Sequence, residues 1–215
     1  MPKVKPFEKN VARYEEWFAR YGLVYESELL AIKALLPQGG SGLEIGVGTG
    51  RFAAPLGIKV GIEPSEAMAD VARRRGIEVI HGVAEALPFE DGRFEFMLMV
   101  TTICFLDDIE VSFIEAFRVL KPMGSIVVGF VDRNSPLGVI YEMHKDKNVF
   151  YREATFYTVE EVVFNLKNAG FHNFAFTQTI FRDLDKIKRI EPVEEGYGKG
   201  SFVVVKGMKA DVAKS

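Results

Sequence analysis

Cysteine is almost absent. A single residue, Cys104, in a chain of 215 excludes an intrachain disulfide and any multi-thiolate metal site, and it fits a reducing, cytoplasmic setting. Its simplest reading is a small core residue. Histidine is nearly as scarce: His81, His144 and His172 lie far apart, with no H-x-x-H or H-E-x-x-H spacing, so no metal centre is expected. There is no basic block. The 27 Lys and Arg residues are scattered along a chain of net charge -3, which argues against nucleic acid as a partner, because phosphate neutralisation needs a basic face. Nowhere do about 18 uncharged apolar residues run together, and the opening "MPKVKPFEKNVARYEEWF" lacks the apolar core of a signal peptide. Neither membrane spanning nor secretion is expected. What is present is ample apolar material, 48% of residues, enough at this length to bury roughly 70% of the unfolded surface in one domain over residues 1–215.

Residues 10–36 carry apolar and aromatic side chains at helical spacing, among them Tyr14, Trp17, Phe18, Tyr21, Leu29 and Ile32, until Pro37 and Gly39 end the run. Two helices joined near Gly22 are predicted, forming an N-terminal cap over residues 1–37. Short apolar runs follow, "SGLEIGV", "KVGIEPS", "IEVIHG", "FEFMLMVTT", "GSIVVGFVD", "NFAFTQTIF" and "SFVVVKG", most with no polar alternation. That is the pattern of strands covered on both faces of a parallel sheet. Helical stretches at 65–75, 109–120 and 159–169 separate them. The alternation predicts a doubly wound α/β fold: a mostly parallel, seven-stranded, Rossmann-like sheet with helices on both faces and its last strand antiparallel. Residues 132–158, rich in Tyr, Phe and Met, stand outside this scheme as an insert after the fifth strand.

In doubly wound sheets ligands bind beyond the carboxyl ends of the strands, where the strand order reverses, and the first strand-to-helix turn is the usual contact. Here that turn carries Gly46, Gly48 and Gly50. Glycines there let backbone N–H groups reach a ligand without a Cβ in the way. A dinucleotide fold requires G-x-G-x-x-G, with its third glycine at position 51, which is Arg51. A nicotinamide-dependent oxidoreductase is therefore disfavoured. Glu44 stands in the strand just before the turn, where burying a carboxylate without a partner costs several kcal/mol, so a cationic ligand group is the better explanation. Glu63 ends the second strand, at the position from which an acid reaches a ribose diol. These residues describe a ligand with a ribose, a positive group and no need of phosphates.

The motifs "LEIGVGTGRF" (43–52), "VGIEPSEAMADVARRRG" (60–76), "HGVAEALPFEDGRFEFMLMV" (81–100) and "AFRVLKPMGSIVVG" (116–129) together resemble the class I S-adenosylmethionine-dependent methyltransferases. The small-molecule branch, similar to ubiquinone and menaquinone-biosynthesis methyltransferases, is the nearest in pattern, and "YTVEEVVFNLKNAGF" (157–171) extends the likeness. The resemblance implies S-adenosylmethionine as cofactor, with its methionine part along the backbone of Gly46 and Gly48 and its ammonium beside Glu44. It implies Glu63 on the ribose hydroxyls, Pro64, Ser65 and Met68 flanking ribose and adenine, and Ala84 and Glu85 at the adenine. Thr101 and Thr102 would face the methionine moiety and the reactive methyl. Ser65 also reads as a helix N-cap and Met68 as core filling, and both roles can coexist. Two positions depart from the family: Val83 and Glu95 stand where relatives carry Asp. Adenine recognition then falls to Glu85 or to the main chain.

The sulfonium methyl is already activated, so the implied chemistry needs alignment more than acid–base residues, and no catalytic triad is expected. The acceptor, a small molecule whose N, O or C atom is methylated, is expected under a roof built from Tyr14, Trp17, Phe18 and Tyr21 on one side and Tyr141, Met143, Phe150, Tyr151 and Phe156 on the other. Such a roof suits a flat apolar molecule or an amine held by cation–π attraction. His144 is the candidate base. The cap is expected to shape mostly the acceptor side, so that its loss reduces turnover more than cofactor affinity. A binding module that keeps the cofactor site without turnover is the alternative reading.

Overall fold

The computed structural model describes residues 4–210. Three helices form the N-terminal cap where two are predicted: α1 (Lys5–Lys9), α2 (Val11–Arg20) and α3 (Gly22–Leu35). The extra break falls at Asn10, whose side-chain amide donates to the Pro6 carbonyl at 2.8 Å and so closes α1 after barely more than one turn. The joint between α2 and α3 lies at Tyr21, beside the predicted Gly22.

The chain then alternates strand and helix through β1 (Gly42–Ile45), α4 (Ala53–Leu56), β2 (Val60–Ile62), α5 (Glu66–Arg74), β3 (Glu78–Ile80) and β4 (Phe94–Val100). It continues through α6 (Ile109–Val119), β5 (Leu120–Val131), α7 (Pro136–His144), α8 (Val159–Asn168), β6 (Phe171–Thr179), β7 (Glu194–Glu195) and β8 (Phe202–Lys209). Local chemistry starts the helices. Ser65, Asp108 and Ser135 cap the N-termini of α5, α6 and α7, and Thr158 with Glu161 forms a capping box on α8. Helix α4 is a single turn, closed by Gly57 in the left-handed region at φ 76°.

One sheet runs in the order β3-β2-β1-β4-β5-β8-β6-β7. Strands β1 to β5 pair in parallel, and β8 is inserted antiparallel between β5 and β6. Eight strands stand where seven are predicted; the additional one, β7, is a two-residue edge within the acidic loop before β8. Residues of β4 show why the strands read as continuous apolar runs. Met97 and Met99 pack on the face covered by α6 and α8, while Phe96, Leu98 and Val100 pack on the opposite face under α3 and α4. Strand order reverses between β1 and β4, so the crevice for a ligand lies at their carboxyl ends. Residues 132–158 are not an unstructured loop: α7 occupies much of them, with Cys104, Ala154 and Phe156 forming a small buried cluster beneath. No described helix is long and apolar enough to cross a membrane.

Candidate active site

Two cavities meet at the carboxyl end of the sheet. The first lies over the glycine turn and is lined by Gly46, Gly48, Glu63, Pro64, Met68, Val83, Ala84, Glu85, Thr101 and Thr102, with Val4, Phe7 and Tyr14 of the cap and Asp107 closing it. The second, of about 410 Å³, lies under the cap and the 132–158 insert. Phe7, Tyr14, Thr101 and Phe105 line both and form the wall between them.

The glycine turn answers to packing on three sides. A Cβ on Gly46 would come within 2.6 Å of Thr102 Oγ1, and the φ of 69° is one that side chains resist. Gly48 sits under the Tyr14 hydroxyl, whereas Gly50 packs against Ala72 and Ile77 and lines neither cavity. Its role is to let α5 close on the turn. Thr101, at the end of β4, is held in the left-handed region at φ 50°, a conformation costly for a β-branched residue, and it faces both cavities.

Glu63 is buried in the first cavity, where its two oxygens accept from the backbone N–H groups of Gly48 at 2.8 Å and Ser65 at 2.9 Å. Burial pushes its carboxyl up to about 7 against the pull of those two amides. Glu44 is fully buried one residue behind the turn and does not line the cavity. Desolvation raises its pKa well above the ordinary value, opposed by the Ala53 N–H, and its Oε2 has no hydrogen-bond partner among the described residues. An orphaned carboxyl oxygen beneath a turn whose glycines admit no Cβ fits a ligand whose cationic end would supply the missing partner and favour the ionised form.

The structure gathers nine of the twelve predicted cofactor residues around one cavity: Gly46, Gly48, Glu63, Pro64, Met68, Ala84, Glu85, Thr101 and Thr102. The remaining three, Glu44, Gly50 and Ser65, lie behind them. Ser65 is buried as the cap of α5 and donates to Glu8 of α1 at 2.6 Å. Glu85 reaches the cavity, yet its Oε1 accepts from the Asp107 and Asp108 amides, at 2.8 and 3.3 Å, and so holds the loop that leads into α6. Glu95 lies at the opposite end of the sheet, accepting from the Ser41 N–H at 2.6 Å and Lys121 at 3.1 Å, so its departure from Asp does not touch the site.

The aromatic roof assembles from Tyr14, Trp17, Phe18, Tyr21, Tyr141, Phe150 and Tyr151. Met143 is excluded, being 65% exposed, and Phe156 is buried beneath Tyr151 rather than in the second cavity. His144 lies exposed at the end of α7 and lines neither cavity, which removes the base expected of it. Phe7, Phe105 and Glu28 belong to the second cavity and were not anticipated. For Glu28 a signal exists: it shares a helix face with the buried Val24 and Ile32 at spacings of four. Burial, with no opposing partner, pushes its carboxyl up to about 8. Among the described residues, no group of His, Cys, Asp and Glu is arranged to hold a metal ion.

The cap is tied to the cofactor side as well. Glu15 of α2 accepts from Thr49 at 2.6 Å and pairs with Arg51 and with Arg75, which holds its carboxyl down to about 2. Val4 and Phe7 line the first cavity directly. The cap, expected mostly on the acceptor side, therefore contributes to the cofactor side as well.

The model of a methyltransferase domain matches residues 43–128, the stretch that carries β1 to most of β5. The chain is also similar to a crystal structure from Thermotoga maritima described as a SAM-dependent methyltransferase, possible histamine N-methyltransferase. Identity is 53%, coverage is 95% of this chain and 98% of that one, and the TM-score is 0.93. The chain belongs to the S-adenosylmethionine-dependent methyltransferases. An uncharacterized protein of Methanocaldococcus jannaschii is 46% identical over 94% of this chain and 98% of its own length. The demethylmenaquinone methyltransferase of Staphylococcus aureus is 31% identical over 42% of each chain. This methyltransferase uses S-adenosylmethionine, and the first cavity has the Rossmann-like position and the donor set that fit it. The nicotinamide reading falls with the same findings.

Proposed function

We propose that this methyltransferase transfers the methyl group to a small cytoplasmic molecule held in the aromatic cavity. The observation that carries the reading is the shared wall: Phe7, Tyr14, Thr101 and Phe105 are the only described side chains between a cleft built on the glycine turn and a cavity built of aromatic rings. In the first cavity Glu63 would hold the two ribose hydroxyls, taking them in place of part of its bond to Gly48 and Ser65. The backbone of Gly46 and Gly48 would carry the methionine part, with the anionic Glu44 beneath its amino end. Met68, Pro64 and Ala84 would pack on the nucleoside, which Glu85 and the main chain around Val83 would recognise.

When bound, the cofactor supplies a methyl on a sulfonium, already activated toward a nucleophile. The protein's part is then alignment. Holding two reactants in line can account for roughly 7–11 kcal/mol of barrier lowering. Tyr14 and Phe105 exclude water from the wall, while Thr101, fixed by its strained backbone, offers a polar atom at the junction. The Thermotoga relative's description as a possible histamine N-methyltransferase puts nitrogen first among the acceptor atoms.

Incubating the purified protein with S-adenosylmethionine and a panel of candidate metabolites, amines included, followed by mass spectrometry, tests the reading. A product heavier by one methyl group supports it. Tight cofactor binding without any methylated product across the panel would favour a binding module instead.

A further inference from the structure

Resting on that reading, the second cavity says what kind of molecule it admits. Buried carboxylates elsewhere in the protein have backbone donors. Glu63 takes two amides, Glu191 accepts from Phe181 N–H at 3.2 Å, and Asp132 accepts from Asn134 N–H at 3.1 Å. Glu28 is different. It is 5% exposed, lines the second cavity, and has no hydrogen-bond or ion-pair partner among the described residues. Its neighbour Ser27 shows that α3 satisfies polar groups where the fold needs them: Ser27 donates to the Leu23 carbonyl at 2.6 Å and accepts from the Glu191 N–H at 2.8 Å. Glu28 therefore closes no turn and ties no elements together.

Around it stand electron-rich rings: Tyr14, Trp17, Phe18, Tyr141 and Tyr151 all line the cavity, with Tyr141 and Tyr151 at 5.0 Å centroid to centroid. A carboxylate and several aromatic rings lining one cavity are a combination that attracts positive charge twice over, by ion pairing and by the ring quadrupoles. The cationic groups that reach the cavity, Arg13 and Arg20, are exposed at its mouth beside Glu16, and neither is placed against Glu28. We propose that Glu28 and the surrounding aromatic side chains are the recognition site for a positively charged amine, so that the acceptor is a small molecule anchored there by its cationic group while a second, uncharged nucleophilic atom with a free lone pair meets the methyl. Burial without a partner leaves the carboxyl raised to about 8 in the free protein, and an ammonium or imidazolium ligand would offset that desolvation by supplying the missing charge.

The test is direct binding by titration calorimetry to the full chain saturated with S-adenosylhomocysteine, for wild type and Glu28→Gln. The probes are phenethylamine, histamine and the permanently charged phenyltrimethylammonium, the neutral 2-phenylethanol, and the anionic phenylacetate. The cations are expected to bind about tenfold or more tighter than the alcohol, with phenylacetate weakest. Glu28→Gln should abolish that preference while leaving the S-adenosylhomocysteine affinity and the melting temperature at pH 4.5 unchanged. Trp17→Ala should weaken the cations more than the alcohol. An unaltered preference in Glu28→Gln, tighter binding of phenylacetate than of the amines, or no binding of any probe to a protein that still binds S-adenosylhomocysteine would each overturn the cation site and leave the methyltransferase reading standing. Failure to bind S-adenosylhomocysteine would instead undo the reading beneath it.

Discussion

Glu63 and Glu28 are both buried carboxylates, one on each side of the wall between the two cavities, and they are held by opposite means. In the cofactor cleft the sheet end supplies backbone amides, so Glu63 is satisfied before any ligand arrives and its carboxyl rises only to about 7. In the aromatic cavity the walls are largely side chains from the cap and the insert, none of which donates a hydrogen bond to Glu28 among the described residues, and Glu28 rises to about 8 with nothing to oppose the burial. A site built from backbone tolerates little change in shape and holds one ligand in common with many relatives. A site built from side chains can be retuned residue by residue, which is why the cofactor is shared across the family while the acceptor is not.

Removing the cap challenges that contrast most severely. Loss of residues 1–24 takes Phe7 and Tyr14 from the shared wall and Glu15 from Thr49, Arg51 and Arg75. Turnover is expected to vanish, and cofactor affinity measured by calorimetry to fall at least about tenfold, a loss the two sites share. Intact cofactor affinity would show that the cap serves the acceptor side alone. Next in size is Gly46→Ala. Its methyl would press on Thr102 at a positive φ, so a penalty of roughly 2–5 kcal/mol, read as lost cofactor affinity and a lowered melting temperature, is expected.

Glu63→Ala should weaken S-adenosylmethionine binding by about 1–3 kcal/mol, the scale of removing one partner of a buried hydrogen bond. In wild type the same affinity should decline as pH falls through about 7, where the carboxylate that would accept from the ribose takes up a proton. Glu63→Gln should flatten that profile, and an unchanged profile would detach the decline from Glu63.

Glu28 sharpens the comparison through stability. The folded protein holds a proton on Glu28 up to about pH 8, whereas the unfolded chain releases it near 4.5. The neutral carboxyl therefore contributes stability that is complete below about pH 4.5 and is lost as pH rises towards 8. Glu28→Gln should raise the melting temperature clearly at pH 8.5 relative to wild type and change it little at pH 4.5. Equal shifts at the two pH values would mean that the carboxyl is not buried without a partner. The smallest effect belongs to His144→Ala, which should leave turnover within about twofold of wild type because the ring lies outside both cavities. A large loss would restore it as a base.

Much of the cofactor cleft was readable because its requirements are local. Gly46 and Gly48 must admit a backbone approach, and Glu63 ends a strand whose apolar run marks it as buried on both faces; each of these statements concerns a few consecutive residues. The parallel pairing of β1 to β5 was readable from strand and helix alternating, while their order came only from the structure. Ser65 caps α5, one of the two roles read for it, and Gly50 lies one layer behind the cleft, since a glycine that admits a ligand and one that admits a helix leave the same mark in a sequence. The acceptor cavity was legible only as a list of aromatics. Its missing members, Phe7 and Phe105, come from a short helix and a loop separated by almost a hundred residues, and His144 is exposed at the last position of α7, beyond the stretch that packs on the cavity.

Composition, periodicity and the glycine turn were thus enough to specify a doubly wound sheet with a ligand crevice at its carboxyl end, because strand burial and backbone clearance are properties of short segments; the family resemblance of four motifs supplied the cofactor. Which aromatic rings face one another, whether a buried acid meets a donor, and that Glu28 meets none were decided only when α1 to α3 and α7 came to rest on the sheet. Those outcomes depend on distances between residues far apart in the chain, and no local pattern encodes them.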